Sequence, residues 1–162
     1  MSVLIQNATI VNEGKSFCSD VYIEDGFIKK IAPKINIIAE KTLDATGLHL
    51  IPGIIDDQVH FREPGLTHKA DISSESKAAV SGGVTSFMEM PNTNPQTLTQ
   101  KLLEEKFEIG DEKSLANFTF FMGVSNNNLK EVLETDTKNV GAIKIFMGSS
   151  TAVSYTHLTL PT

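Results

Sequence analysis

From residue 51 onward, strand-like segments alternate with helix-like segments. Apolar runs typical of β-strands occupy residues 51–60, 84–90, 117–124 and 140–147. Helical patterns lie between them over residues 73–81, 98–109 and 128–135, and we predict that Gly82-Gly83 and Gly110 end the first two of these helices. Strands that alternate with helices form parallel sheets, because each helix carries the chain back across the sheet. The sequence therefore predicts an α/β fold with a parallel sheet.

The number of strand–helix units favours a barrel. Four units make half of an eightfold barrel, whose usual length is roughly 250 residues. We predict that residues 51–151 form the N-terminal half of a TIM (β/α)8 barrel. A small doubly wound sheet is the alternative, but it gives no reason for the β-rich segment that comes first.

Residues 1–50 follow a different pattern, in which short β-branched runs are separated by turns. The Asp25-Gly26 pair lies between two such runs and predicts a β-hairpin. We predict a small antiparallel β unit, part of a β-sandwich-type domain, with too few strands for a strong core of its own.

Residues 51–65, with the sequence IPGIIDDQVHFREPG, place polar groups at the end of the first barrel strand. Side chains at every second position of a strand point the same way. Four polar residues are thus predicted to share one face: Asp56, Gln58, His60 and Arg62. Burying such groups is costly unless they bind something, so we expect a site at this strand end.

Composition narrows the classes of partner. The net charge of −6 argues against nucleic acid or an anionic membrane as partner, because both require clustered Lys and Arg. No apolar run approaches the roughly 20 residues of a membrane span, and the N-terminus lacks the pattern of a secretion signal. The single cysteine, Cys18, fits a reducing compartment, and we expect it to be buried. We therefore expect a soluble cytoplasmic protein.

Residues 56–65 resemble a motif of the dihydroorotases, a branch of the amidohydrolase superfamily, in which Asp-x-His-x-His-x-Arg precedes Glu-Pro-Gly. The resemblance continues through GGVT at 82–85, MPNT at 90–93 and IKIFMGSST at 143–151. It implies a zinc-dependent hydrolase of a cyclic amide that interconverts L-dihydroorotate and N-carbamoyl-L-aspartate in pyrimidine synthesis. We expect one or two Zn²⁺ ions.

The resemblance also implies roles for single residues. His60 would bind the metal, and Lys144 would do so as a carboxylated lysine that bridges two ions. Gln58 replaces the second histidine of the motif and is a poor zinc ligand, which leaves the metal count open. Arg62 and Asn92 would hold a carboxylate of the substrate, a task for which the planar fork of arginine is well suited.

Structural alternatives stand beside these roles. Lys144 could point outward at a strand end, Arg62 could form a surface ion pair with Glu63, and Asn92 could serve only the turn in which it lies. We place His49 and His68 outside the site. We expect Asp56 to support the ligand strand rather than to bind metal.

The C-terminus departs from the family pattern. After Ser149-Ser150-Thr151 the family continues Gly-Asn-Met, whereas this chain reads AVSYTHLTLPT over residues 152–162. We expect this tail to be non-native sequence encoded by a library adapter. We accordingly expect a truncated chain, inactive by itself, whose later histidine ligands and catalytic Asp are missing, and a full-length protein that is capable of forming a homo-oligomer.

Two other functions remain open. One is a hydantoinase, dihydropyrimidinase or allantoinase on the same scaffold. The other is a metal-free pseudoenzyme that acts as a partner subunit, an alternative suggested by Gln58.

Overall fold

The computed structural model describes residues 1–147, which divide into two units. The first unit spans Met1–Pro52 and the second begins at Gly53. The predictions for residues 148–162, including the non-native tail, lie outside the described residues. Within residues 1–147, no helix combines the length and the apolar character that crossing a membrane would require.

The first unit is a mixed β-sheet. Its strands are β1 (Ser2–Asn12), β2 (Lys15–Glu24), β3 (Phe27–Ala32), β4 (Lys41–Asp44) and β5 (His49–Leu50). They follow the order β3-β2-β1-β4, and β5 also pairs with β1. The hairpin predicted at Asp25-Gly26 is confirmed, because these residues join β2 to β3 with φ values of 51° and 79°, the signs that a type I′ turn requires.

Two predictions for the first unit are wrong. The unit is not wholly antiparallel, because β4 and β5 run parallel to β1. The chain makes a longer connection over residues 33–40 before β4, and no tight turn links β4 to β1. Cys18 is exposed rather than buried, because it belongs to the first four residues of β2, all of which are exposed.

The second unit alternates strands and helices as predicted. Its elements are β6 (Ile54–Val59), α1 (Ile72–Ser81), β7 (Val84–Glu89), α2 (Gln100–Lys113), β8 (Asn117–Gly123), α3 (Leu129–Leu133) and β9 (Ala142–Lys144). The four strands are parallel and follow the chain order β6-β7-β8-β9. A doubly wound sheet reverses its strand order part-way, whereas a barrel keeps one direction. The order in the described residues is therefore that of half a TIM barrel.

The helix boundaries differ from the predicted ones for local reasons. Helix α1 begins at Ile72 because the Asp71 side chain accepts a hydrogen bond from the Ser74 main-chain N–H (2.7 Å) and caps the helix. Helix α2 continues through Gly110 to Lys113, so the prediction that Gly110 ends it is wrong. A Cβ atom at Gly110 would overlap the ring of Phe118 on β8. Glycine is required there for the close approach of helix and strand.

The core of the second unit is rich in aromatic residues. The ring centroids of Phe61 and Phe87 lie 4.5 Å apart, and those of Phe107 and Phe120 lie 5.0 Å apart, edge to face. The buried members of this cluster are Phe61, Ile72, Phe87, Leu103, Ala116, Phe120 and Met122. Because Phe61 is buried between His60 and Arg62 in the chain, core packing holds the main chain on both sides of two predicted site residues.

Candidate active site

The parallel sheet brings several predicted site residues to one edge. His60 directly follows β6, Asn92 follows the end of β7, and Lys144 is the last residue of β9. Because the strands of this sheet are parallel, their carboxyl ends meet at the same edge, which we call the carboxyl edge. TIM barrels build their active sites at this edge.

His60 and Asn92 are in direct contact. The Nδ1 atom of His60 lies 2.9 Å from the Oδ1 atom of Asn92. An amide oxygen only accepts hydrogen bonds, so Nδ1 carries the proton and donates. The Nε2 atom of His60 is then left with its lone pair, which is the form that a metal or a proton donor requires. Asn92, which is 4 % exposed, thus orients the imidazole.

The surroundings of His60 favour its neutral form. Burial lowers the pKa of His60 below its ordinary value, and the nearby positive charges of Arg62, Lys144 and Lys106 lower it further. The hydrogen bond with Asn92 acts in the opposite direction.

Arg62 has an unusual main-chain conformation. Its φ is 70°, in the left-handed region, which costs a non-glycine residue about 1 kcal/mol or more. Its N–H donates to Glu89 Oε1 (3.1 Å), and its C=O accepts from the Leu66 N–H (3.1 Å). Among the described residues, its buried Nη1 atom has no hydrogen-bond partner. A buried guanidinium nitrogen without a partner is suited to an anionic ligand.

The strict alternation predicted from Asp56 to Arg62 is wrong. Strand β6 ends at Val59, and its register with β7 slips between Asp56 and Val59. Gln58 lies in this irregular part, is exposed, and donates its main-chain N–H to Asp56 Oδ1 (3.1 Å). A bulge changes the direction of the side chains that follow it. Counting alternate positions along the strand therefore could not predict where the side chains of His60 and Arg62 point.

A buried ion pair that the sequence reasoning missed lies beside Arg62. Lys106 Nζ lies 2.7 Å from Glu89 Oε2, and the side chains are 0 % and 1 % exposed. Lys106 also donates to the carbonyl oxygen of Met90 (2.9 Å). Burial raises the pKa of Glu89 and lowers that of Lys106, and the attraction between the two opposes both shifts.

A signal for this pair is present in the sequence. Lys106 follows Leu103 by three residues and precedes Gly110 by four, and these three residues are the buried ones of α2. A lysine on the apolar face of a helix and a glutamate inside an apolar strand mark both side chains as candidates for burial, but neither signal identifies the other residue as its partner.

Two loops at the carboxyl edge are joined through their main chains. The Asn94 N–H donates to the carbonyl oxygen of Pro64 (3.1 Å). Gly65 has a φ of 80°, and a Cβ atom there would overlap the main chain of Asn94. The loop that follows Arg62 and the loop that contains Asn92 are therefore in contact.

The remaining predicted residues are placed as follows. Glu63 is paired with Lys113 and accepts from the Ile72 N–H (3.0 Å), so the suggested ion pair of Glu63 with Arg62 is not formed. Lys144 is partly buried, with its Nζ atom 5.4 Å from the centre of the Phe146 ring. His68 is an exposed loop residue, and His49 is an exposed residue of β5.

The donor atoms present fit part of a metal site. A catalytic zinc ion takes about three protein ligands. Within residues 1–147, no group of three or more His, Cys, Asp and Glu side chains is placed to hold an ion. His60 Nε2 fits a metal because Asn92 fixes its tautomer, and Lys144 would need conversion to a carbamate. The described residues thus offer two candidate ligands and no complete set.

Comparison with known proteins establishes the family. The profile of the dihydro-orotase-like family matches residues 47–147. The chain belongs to this family. It is 36 % identical over 151 residues to an allantoinase of Deinococcus radiodurans and 36 % identical over 133 residues to a dihydroorotase of Lactobacillus acidophilus, matches that cover 93 % and 82 % of the chain. A dihydroorotase of Carboxydothermus hydrogenoformans is 48 % identical over 97 residues, or 59 % of the chain.

Solved structures confirm the fold. An L-hydantoinase (dihydropyrimidinase) from Arthrobacter aurescens superposes with a TM-score of 0.90 at 25 % identity and covers 97 % of this chain. These dihydro-orotase-like relatives are cyclic amidohydrolases. The chain spans 34 %, 31 % and 23 % of the three curated relatives and 35 % of the hydantoinase.

Proposed function

We propose that these residues belong to a metal-dependent cyclic amidohydrolase that interconverts L-dihydroorotate and N-carbamoyl-L-aspartate in pyrimidine synthesis. The observation that carries this proposal is the buried Arg62 Nη1 atom, which has no hydrogen-bond partner among the described residues. It lies on the side chain two residues beyond His60, at the carboxyl edge. Both molecules of the proposed reaction carry a free carboxylate, which a guanidinium group binds through paired hydrogen bonds.

His60 and Lys144 are the proposed metal ligands. The neutral imidazole, held by Asn92 (2.9 Å), presents Nε2 without a proton. Lys144 would bind as a carbamate, which forms when its neutral amine adds to carbon dioxide and releases a proton. A Zn²⁺ ion held there would lower the pKa of a bound water and would polarise the ring carbonyl. Gln58 is exposed, and we propose that it contributes weakly or not at all, so that the number of ions is one or two.

A hydantoinase or allantoinase activity is the second candidate. It is favoured by the similarity to the Arthrobacter aurescens enzyme and to the Deinococcus radiodurans allantoinase. The two candidates differ in the substrate group that Arg62 would meet, because hydantoin, allantoin and dihydrouracil carry no carboxylate.

The test uses the complete protein that contains these residues, assayed with L-dihydroorotate, hydantoin, allantoin and dihydrouracil. We expect turnover of L-dihydroorotate, and a loss of about 10- to 150-fold in kcat/KM for Arg62→Met, as for a hydrogen bond to a charged group worth about 1.5–3 kcal/mol. Arg62→Lys is the matched control, which keeps the charge without the planar fork.

Metal analysis completes the test. Bound zinc together with turnover that a chelator abolishes supports the proposal. Turnover of hydantoin or allantoin alone favours the second candidate. Absence of both metal and turnover would indicate the pseudoenzyme and overturn the proposal.

A further inference from the structure

We propose that Glu89 and Lys106 are positioning residues that set the preference for substrates with a free carboxylate, an inference that rests on the proposed function of Arg62. The pair lies beneath the carboxyl edge and touches both segments that bear predicted substrate contacts. Glu89 accepts the Arg62 N–H (3.1 Å), and Lys106 donates to the carbonyl oxygen of Met90 (2.9 Å), two residues before Asn92.

The hydrogen bond from Arg62 to Glu89 fixes an unfavourable main-chain conformation. Arg62 has a φ of 70°, which a non-glycine residue keeps only where its surroundings determine it. Its carbonyl group is held by Leu66 (3.1 Å), and Glu89 holds its N–H. Without this acceptor, the main chain at Arg62 is free to return to an ordinary conformation, which would redirect the guanidinium group.

Lys106 keeps Glu89 available for this role. The Glu89 side chain is 1 % exposed, and a carboxylate buried to this extent requires a compensating charge. Lys106 supplies that charge at Oε2 and leaves Oε1 for the Arg62 N–H. The positive charge of Arg62 is therefore not needed to neutralise Glu89, and its Nη1 atom stays without a partner among residues 1–147.

If the ion pair of Glu89 and Lys106 had only a structural role, replacing it would have a different effect on the enzyme kinetics. Such a pair can often be replaced by uncharged side chains of similar volume without loss of stability. Two double variants distinguish a structural role of the pair from a positioning role. E89Q/K106M removes both charges and keeps an oxygen that accepts the Arg62 N–H. E89M/K106M removes both charges and that oxygen.

The experiment measures kcat and KM of the complete protein for L-dihydroorotate and for dihydrouracil, the same ring without its carboxylate. We expect E89Q/K106M to keep the wild-type KM for L-dihydroorotate within about threefold. We expect E89M/K106M to raise that KM by about tenfold or more, with kcat and any dihydrouracil turnover changed by less than about threefold. Thermal unfolding of both variants verifies that they fold.

The inference would be overturned if the two double variants had equal kinetic constants for L-dihydroorotate. It would also be overturned if E89M/K106M lost kcat/KM to the same extent for L-dihydroorotate and for dihydrouracil. If E89M/K106M does not fold, Glu89→Asp serves instead, because it keeps the charge and shortens the side chain by one methylene. The same selective rise in KM is expected for it, and an unchanged KM contradicts the inference.

Failure of the proposed function gives a distinct result. If the wild-type protein converts neither L-dihydroorotate nor dihydrouracil, the proposed function is wrong. A crystal structure of E89M/K106M then tests the positioning role. If Arg62 keeps a positive φ in that structure, the inference is overturned, whereas a negative φ supports it.

Discussion

Both units of the chain bury carboxylates, and the partners of these carboxylates differ in kind. In the first unit, Asp20 is 3 % exposed and accepts the main-chain N–H groups of Asn7 and Ile35, both at 2.9 Å. In the second unit, Glu89 accepts the main-chain N–H of Arg62 and forms an ion pair with Lys106 at 2.7 Å.

This difference between the partners of Asp20 and Glu89 shows which of the partners can be replaced by mutation. Only substitution to proline removes a main-chain N–H group. The Asn7 N–H, which lies where the register of β1 with β2 shifts between Ile5 and Ala8, therefore requires an acceptor at position 20. The charge of Lys106 belongs to a side chain, and a second substitution can compensate for its loss. The fold of the first unit thus depends on the oxygen atoms of Asp20, whereas the second unit depends on the balance of charge.

The largest expected effect tests this charge balance. Lys106→Met leaves Glu89 buried without a counter-charge, and we expect a loss of about 3–5 kcal/mol in the free energy of unfolding. Chemical denaturation of the purified protein measures it. E89Q/K106M is the control, because it removes both charges and is expected to recover most of the loss. If the double variant is as unstable as the single one, the comparison between the units is wrong.

The sequence predicted the order of elements in the second unit but not this pair. The period of the apolar residues and the glycines after α1 suffice to locate strands and helices. They do not show that Lys106 faces inward, because a long side chain on a helix normally extends to solvent. The partner Glu89 lies on β7, and only the packing of α2 against the sheet brings the two together.

A second test compares two glycines, one in each unit. Gly65 and Gly14 have similar φ values, 80° and 72°, but only Gly65 contacts another segment, the main chain of Asn94. Alanine at either position meets the same conformational strain. We expect Gly65→Ala to cost about 1–3 kcal/mol more than Gly14→Ala, as for overpacking, measured by hydrogen exchange in each unit. Equal losses would show that the contact with Asn94 contributes nothing.

A third test concerns Asp20. Asp20→Asn leaves one acceptor oxygen for two main-chain N–H groups, so we expect a loss of about 1–3 kcal/mol in the first unit. Hydrogen exchange at the Asn7 and Ile35 amides is the measurement, and both should exchange faster. Glu13→Gln is the control, since Glu13 is an exposed carboxylate of the same unit. A loss no larger than that of the control would contradict the role of Asp20.

The candidate site was predictable in part. The motif and the parallel strands predicted that His60, Asn92 and Lys144 would share an edge, since the carboxyl ends of parallel strands coincide. The conformation of Arg62 was not predictable, because the register slip between Asp56 and Val59 has no signature in the alternation of residues. The contact of Asn92 with His60 likewise depends on a loop, whose course local sequence does not determine.

The hydrogen bond between Pro64 and Asn94 (3.1 Å) has a consequence for engineering the carboxyl edge. This bond joins the loop after Arg62 to the loop that contains Asn92. A library that varies only one of these loops therefore changes the shape that the other loop must fit. Diversifying both together, with Gly65 kept, is the more productive strategy.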